Sequence, residues 1–116
     1  MTTRWVKGSE HLVLVVEGET SNVNVFKSAL EIDMDANIVI DISAMNVLDE
    51  GSLKFLNNFA VVHKAKHFSL FAVTKNKVAG LTKIEIIPTV TEARELIFME
   101  ITERELGFFG EDEVVK

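Results

Sequence analysis

Residues 37–56 read NIVIDISAMNVLDEGSLKFL. The first part, NIVIDIS, is a nearly continuous apolar run rich in β-branched residues, the pattern of a strand buried on both faces. From residue 49 the period changes. Leu53, Leu56, Ala60 and His63 fall on one stripe at helical spacing, and Phe55, Phe59 and Val62 widen it, which predicts a helix over 49–66. An acidic pair, a glycine and a serine (Asp49, Glu50, Gly51, Ser52) occupy the junction. A buried strand running through a polar turn into an amphipathic helix is one step of an α/β fold.

The same alternation extends in both directions. HLVLVVEGE (11–19) reads as a buried strand ending in a glycine turn, with RWVKG (4–8) before it as an edge strand. TSNVNVFKSALEID (20–33) opens on capping residues and then spaces Val23, Phe26 and Leu30 as a helix. FSLFAVT (68–74) is the next strand. NKVAGLTKI (76–84) reads as a short helix, EIIP (85–88) as a short strand, and TVTEARELIFMEITEREL (89–106) as the last helix. Thr89 is its N-cap, and Glu92, three residues later, completes a capping-box pattern. The predicted order is β-β-α-β-α-β-α-β-α. It implies an α/β domain with a mixed sheet of four to five strands and about four helices, mainly on one side if the strand order progresses one way. Residues 1–106 form a single domain in this reading, and 107–116 an acidic C-terminal tail carrying Phe108 and Phe109.

Composition narrows the functional classes. Apolar residues make up 47% and charged residues 26% of the 116, a globular mix with enough length for an ordinary core. There is no cysteine, hence no disulfide framework and no thiol chemistry, which fits a cytoplasmic protein. No apolar run is long enough for membrane insertion, and the N-terminus lacks a leader pattern. Eight acids and two bases lie between Glu92 and Glu113, a balance of −6 that equals the charge of the whole chain. Nucleic acid is therefore not an expected partner, because phosphates need clustered Lys and Arg. The acidic segment reads as a solvated helix face and tail, with steering toward a basic partner surface as the functional alternative.

Other site patterns fail on their own requirements. DMDAN (33–37) begins like a calcium loop, but the positions needing Gly and Glu hold Ile38 and Ala44. His63 and His67 have the i, i+4 spacing of a metal pair without a third ligand nearby, so no metal is expected. A histidine near a helix C-terminus is favoured by the dipole alone. No phosphate-binding glycine loop and no nucleophile elbow occur. Asp41 at a strand end invites comparison with a phosphoryl-accepting receiver. However, the required acidic pair is split here as Glu17-Gly18-Glu19, and two strands precede the first helix. No convergent catalytic set emerges, so neither enzyme activity nor a cofactor is expected.

Taken together, the ordered pieces resemble the STAS domain of anti-sigma factor antagonists from bacteria. In that family a buried strand ends in Asp-x-Ser, as in Asp41-Ile42-Ser43. A few residues on, Asp-Ser-Ser-Gly-Leu opens a helix, and its first Ser accepts phosphate. VLVVEGET (13–20), GLTKI (80–84) and PTVTEA (88–93) match further family segments in order, so the resemblance spans roughly residues 10–100. It implies a sheet with helices mainly on one side and a protein partner, an anti-sigma factor with a kinase-like ATPase fold. The contact would centre on Asp49, Glu50, Gly51, Ser52 and Leu53. Binding would sequester the anti-sigma factor and release its sigma factor. STAS-like domains also serve as structural subunits, for example beside the ATPase of a lipid-transport ABC complex, and that is the alternative.

The key motif departs from the family. Alignment on Asp49 and Leu53 puts Glu50 at the phosphoacceptor position, Gly51 on the second Ser and Ser52 on the Gly. Glutamate carries a fixed charge of −1 and cannot be phosphorylated by a Ser/Thr kinase. Read without the family, Asp49 is an N-cap and Glu50 a favourable charge at the positive end of the helix. Gly51 permits close approach of another chain. Ser52, in the first turn, stays a candidate phosphoacceptor, since a phosphate there would meet the helix N-terminus.

Overall fold

The structure, a computed structural model, describes residues 1–30 and 35–115, apart from the side chains of Thr20, Asn46 and 107–115. The apolar runs form five strands: β1 (Thr2–Lys7), β2 (Leu12–Thr20), β3 (Ile38–Val47), β4 (Leu70–Val73) and β5 (Glu85–Ile87). Three helices accompany them: α1 (Val23–Leu30), α2 (Glu50–Ala65) and α3 (Val90–Val115). The sheet order is β1-β2-β3-β4-β5, with β1 antiparallel to β2 and all other pairs parallel. A tight turn makes the β1–β2 hairpin, in which Gly8 N–H donates to His11 O at 2.8 Å.

Alternation along the strands divides the core in two. Leu14, Val16, Ile38, Ile40, Leu70 and Ala72 face α1 and α2, packing on Phe26, Leu30, Leu56 and Ala60. Val13, Val39, Phe71, Val73 and Ile87 face the other way, onto Ala93 and Ile97 of α3. All four residues of β4 are buried, as expected of a strand covered on both faces. The β2–α1–β3 and β3–α2–β4 crossovers step in one direction, so one handedness puts α1 and α2 on the same face. α3 follows the last strand, is bound by no crossover, and covers the opposite face.

β3 is not a regular strand. Val15 pairs with Asp41 and Glu17 with Ala44, so β3 carries one surplus residue between these pairs. The bulge falls on Asp41-Ile42-Ser43. Asp41 Oδ1 accepts from Ser43 N–H at 3.0 Å and from the Ser43 hydroxyl, holding the extra residue.

The helix expected over 76–84 does not form, so the described residues make three helices rather than about four. Val78, Leu81 and Ile84 have helical spacing, and Leu81 and Ile84 are buried, but the segment is a series of turns and bends. Gly80 takes φ +89°, outside the helical region. The Asn57 side chain of α2 captures the backbone instead. Its amide donates to Gly80 O at 2.7 Å, and its oxygen accepts from Thr82 N–H and Lys83 N–H, both at 3.0 Å. A helix this short closes too few hydrogen bonds to offset its unfavourable nucleation, so the Asn57 bonds prevail. α3 runs through the segment set apart above as an acidic tail. The side chains of Phe108 and Phe109 lie outside the described residues, as do residues 33 and 34 of the DMDAN stretch.

The hairpin turn is tied to α3 by one polar contact: Arg94 Nε donates to His11 Nε2 at 3.0 Å. That bond requires a neutral ring. Partial burial, and then the adjacent guanidinium, push the His11 pKa below its ordinary 6.5. The unfolded chain therefore binds more protons than the folded one just below pH 6.5, and stability falls on acidification through that value. The melting temperature is expected to decline from about pH 6.5 downward, and the His11→Gln variant should show a flatter profile. Equal slopes in wild type and variant would remove His11 as the origin.

Candidate functional site

Asp49 ends the link from β3 and caps α2. Its backbone is extended (φ −76°, ψ 167°), and its Oδ1 accepts from Ser52 N–H at 2.8 Å. A second clasp reaches across the chain. The Ser21 hydroxyl donates to Asp49 Oδ1 at 3.0 Å, and Asp49 N–H donates to Ser21 Oγ at 2.7 Å. Ser21 is available because Asn22 caps α1, its Oδ1 accepting from Asn24 N–H at 2.9 Å. The starts of α1 and α2 are thus buttoned together through one serine and one aspartate. The nearby Ser52 hydroxyl, the Ser52 N–H and the Ser21 hydroxyl together hold the Asp49 carboxyl below the usual aspartate range. The ionised form is the one these donors favour, so their stabilisation is present above the ordinary pKa and is lost as pH falls through the lowered one.

The predicted contact residues divide by exposure. Asp49, Glu50 and Gly51 are exposed, and Leu53 is half-buried. Ser52 is fully buried at 0% exposure, and its Oγ makes no hydrogen bond of normal geometry although it lies near the Asp49 carboxylate. A hydroxyl in this position is closed to a kinase while the first turn of α2 stays wound. A Cβ added to Gly51 would meet Val23 at 3.7 Å, an ordinary contact, so the fold itself does not require glycine there. Gly80 differs: its φ is positive, and a Cβ would stand 3.2 Å from Leu53 Cδ1.

Beside the helix start is a notch of about 200 Å³ lined by Ile42, Met45, Val47 and Leu48 from β3 and its exit, with Lys77 and Val78 opposite. Val47 is 59% exposed on its rim. The notch and the Ser21 clasp were not foreseen from sequence. Both arise from residues far apart in the chain, and the only local sign of the clasp was the run of capping residues before α1.

His63 and His67 do not converge on a metal site. His63 is buried, its Nε2 is 2.7 Å from Ala36 O, and its ring stacks on Phe59 at 5.1 Å. His67 is exposed, beyond the end of α2, with φ 68°. Among the described residues no group of three or more His, Cys, Asp or Glu side chains is placed to hold a metal ion. Nor, among them, is any helix long and apolar enough to cross a membrane. No protein-family model matches the chain, and no curated protein matches it.

Proposed function

We propose that the chain is a non-enzymatic regulatory module of the STAS type, an anti-sigma factor antagonist whose partner is an anti-sigma factor with a kinase-like ATPase fold. The observation that carries this reading is the helix start itself. An exposed Glu50-Gly51 step sits on a base made by Asp49 and Ser21, beside a notch of mixed apolar and polar lining. Glu50 supplies a permanent charge at the position where the resembling family switches one on and off. Gly51, not needed by the fold, leaves backbone open to a partner. The burial of the Ser52 hydroxyl favours a second reading, a STAS-like structural subunit such as one beside a lipid-transport ABC ATPase, which needs no phosphoacceptor.

The test is capture on the immobilised protein from its native cytoplasm, with the bound chain identified by mass spectrometry. Recovery of a kinase-like ATPase, weakened at least ~10-fold by Glu50→Arg or Gly51→Arg, supports the first reading; that loss corresponds to ~1.4 kcal/mol. Recovery of an ABC ATPase and no kinase-like protein replaces it with the second. A Glu50→Ser protein that binds with unchanged affinity removes Glu50 as a charge mimic.

A further inference from the structure

α3 is apolar on two faces. Val90, Ala93, Ile97 and Ile101 follow one another at i+3 and i+4 and pack on the sheet. Phe98 lies roughly 100° around the helix from that stripe, and Met99 and Leu106 roughly 160–180°; the three are 65%, 54% and 59% exposed. Thr102 joins Phe98 to Leu106 at i+4 spacing, and its hydroxyl is already satisfied by Phe98 O at 2.9 Å. A helix that packs by one face usually shows charge on the other, and three large apolar side chains in one exposed stripe mark a contact surface.

Charge decides what fits there. Both bases of α3 are turned to sheet-side partners. Arg94 donates to His11, and Arg104 donates to Ser69 Oγ at 3.3 Å and Asn37 Oδ1 at 3.4 Å while lying 4.0 Å from Glu100. Among the described residues no ion pair engages Glu92, Glu95, Glu103 or Glu105, all exposed. The stripe is therefore apolar with an uncompensated acidic border. A second copy laid on it would set acids against acids, and an anionic membrane would be repelled.

We propose that the outer face of α3 is a docking surface, separate from the α2 start, for a basic amphipathic helix of a protein partner. Leucine-like side chains of that helix cover Phe98, Met99 and Leu106, and its flanking lysines or arginines meet the glutamates. With one contact at the α2 start and another on α3, the module is able to hold two protein surfaces at once.

The probe is a synthetic lysine-leucine peptide of about 18 residues, five turns, with its leucines on one face, titrated into the whole chain and followed by fluorescence anisotropy. Saturable binding is expected. It should weaken at least tenfold in the Phe98→Asp, Leu106→Asp double variant and in Glu95→Lys, Glu103→Lys, and stay unchanged in Glu50→Arg. The four α3 positions are exposed, so these variants should keep the wild-type circular dichroism. A peptide of the same composition with scattered leucines should bind far more weakly. Equal binding by that peptide, or equal binding by the double variant, overturns the proposal. A concentration-dependent dimer in sedimentation, abolished by Phe98→Asp and Leu106→Asp, also overturns it by making a second copy the occupant.

Discussion

Replacing Ser52 by aspartate should cost the domain about 3–5 kcal/mol, the penalty for a buried charge without a partner. The side chain at this position has no access to water, and the charged group beside it is another carboxylate, Asp49. A charge in the first turn would gain a few tenths of a kcal/mol from the helix dipole, far less than its burial costs. Ser52→Ala should cost far less, staying within about 1 kcal/mol of wild type. The hydroxyl it removes lies near the Asp49 carboxylate without a hydrogen bond of normal geometry, and the small loss there is offset by better helix propensity and relief of a buried polar group. Urea denaturation of the three proteins checks the ranking. An aspartate variant as stable as wild type would show that the Ser52 side chain reaches solvent and would restore it as a phosphoacceptor. The same logic predicts that the folded protein, incubated with a Ser/Thr kinase and ATP, gains no phosphate at Ser52 by intact mass.

Phe26→Ala is the second large effect, expected at about 3–5 kcal/mol from the cavity left by a fully buried ring. α1 has only eight residues, too few to persist without its packed face. The loss should therefore spread to the candidate site, because α1 holds Ser21 in place against Asp49. Native-state hydrogen exchange reads this directly. The Asp49 amide, which donates to Ser21 Oγ, should exchange faster in Phe26→Ala than in a control such as Lys27→Ala, whose exposed side chain predicts a change within about 0.5 kcal/mol. An Asp49 amide equally protected in both variants would mean that the clasp does not depend on α1.

Local chemistry was legible in the sequence wherever one period dominated. The strand from Ile38, the α2 stripe of Leu56, Ala60 and His63, and the Asp49 cap all follow from neighbours within a few residues. The segment 76–84 was misread because its apolar spacing has two solutions. Val78, Leu81 and Ile84 bury equally well from a bent loop, and the choice was made by Asn57, some twenty residues away, together with the positive φ of Gly80. Similarly, Asp49 reads as a cap, but its bonds to Ser21 join positions 28 residues apart. The burial of Ser52 also depends on that packing, since position three of a helix is as often wet as dry. The second apolar face of α3 was present in the sequence as Phe98, Met99 and Leu106, hidden by the stronger signal of the acids between them.

The bulge in β3 acts as a frameshift in the strand's inside-outside code. A strand spells that code in steps of two, and Ile38, Ile40 and Ile42 are written in the first frame. One inserted residue moves the rest into the other frame, so the odd-numbered Met45 enters the same core as the even-numbered isoleucines before it. The burial of Met45 makes sense only in the shifted frame. Asp41-Ile42-Ser43 is thus a punctuation mark, and what it sets in phase is the approach of the chain to Asp49.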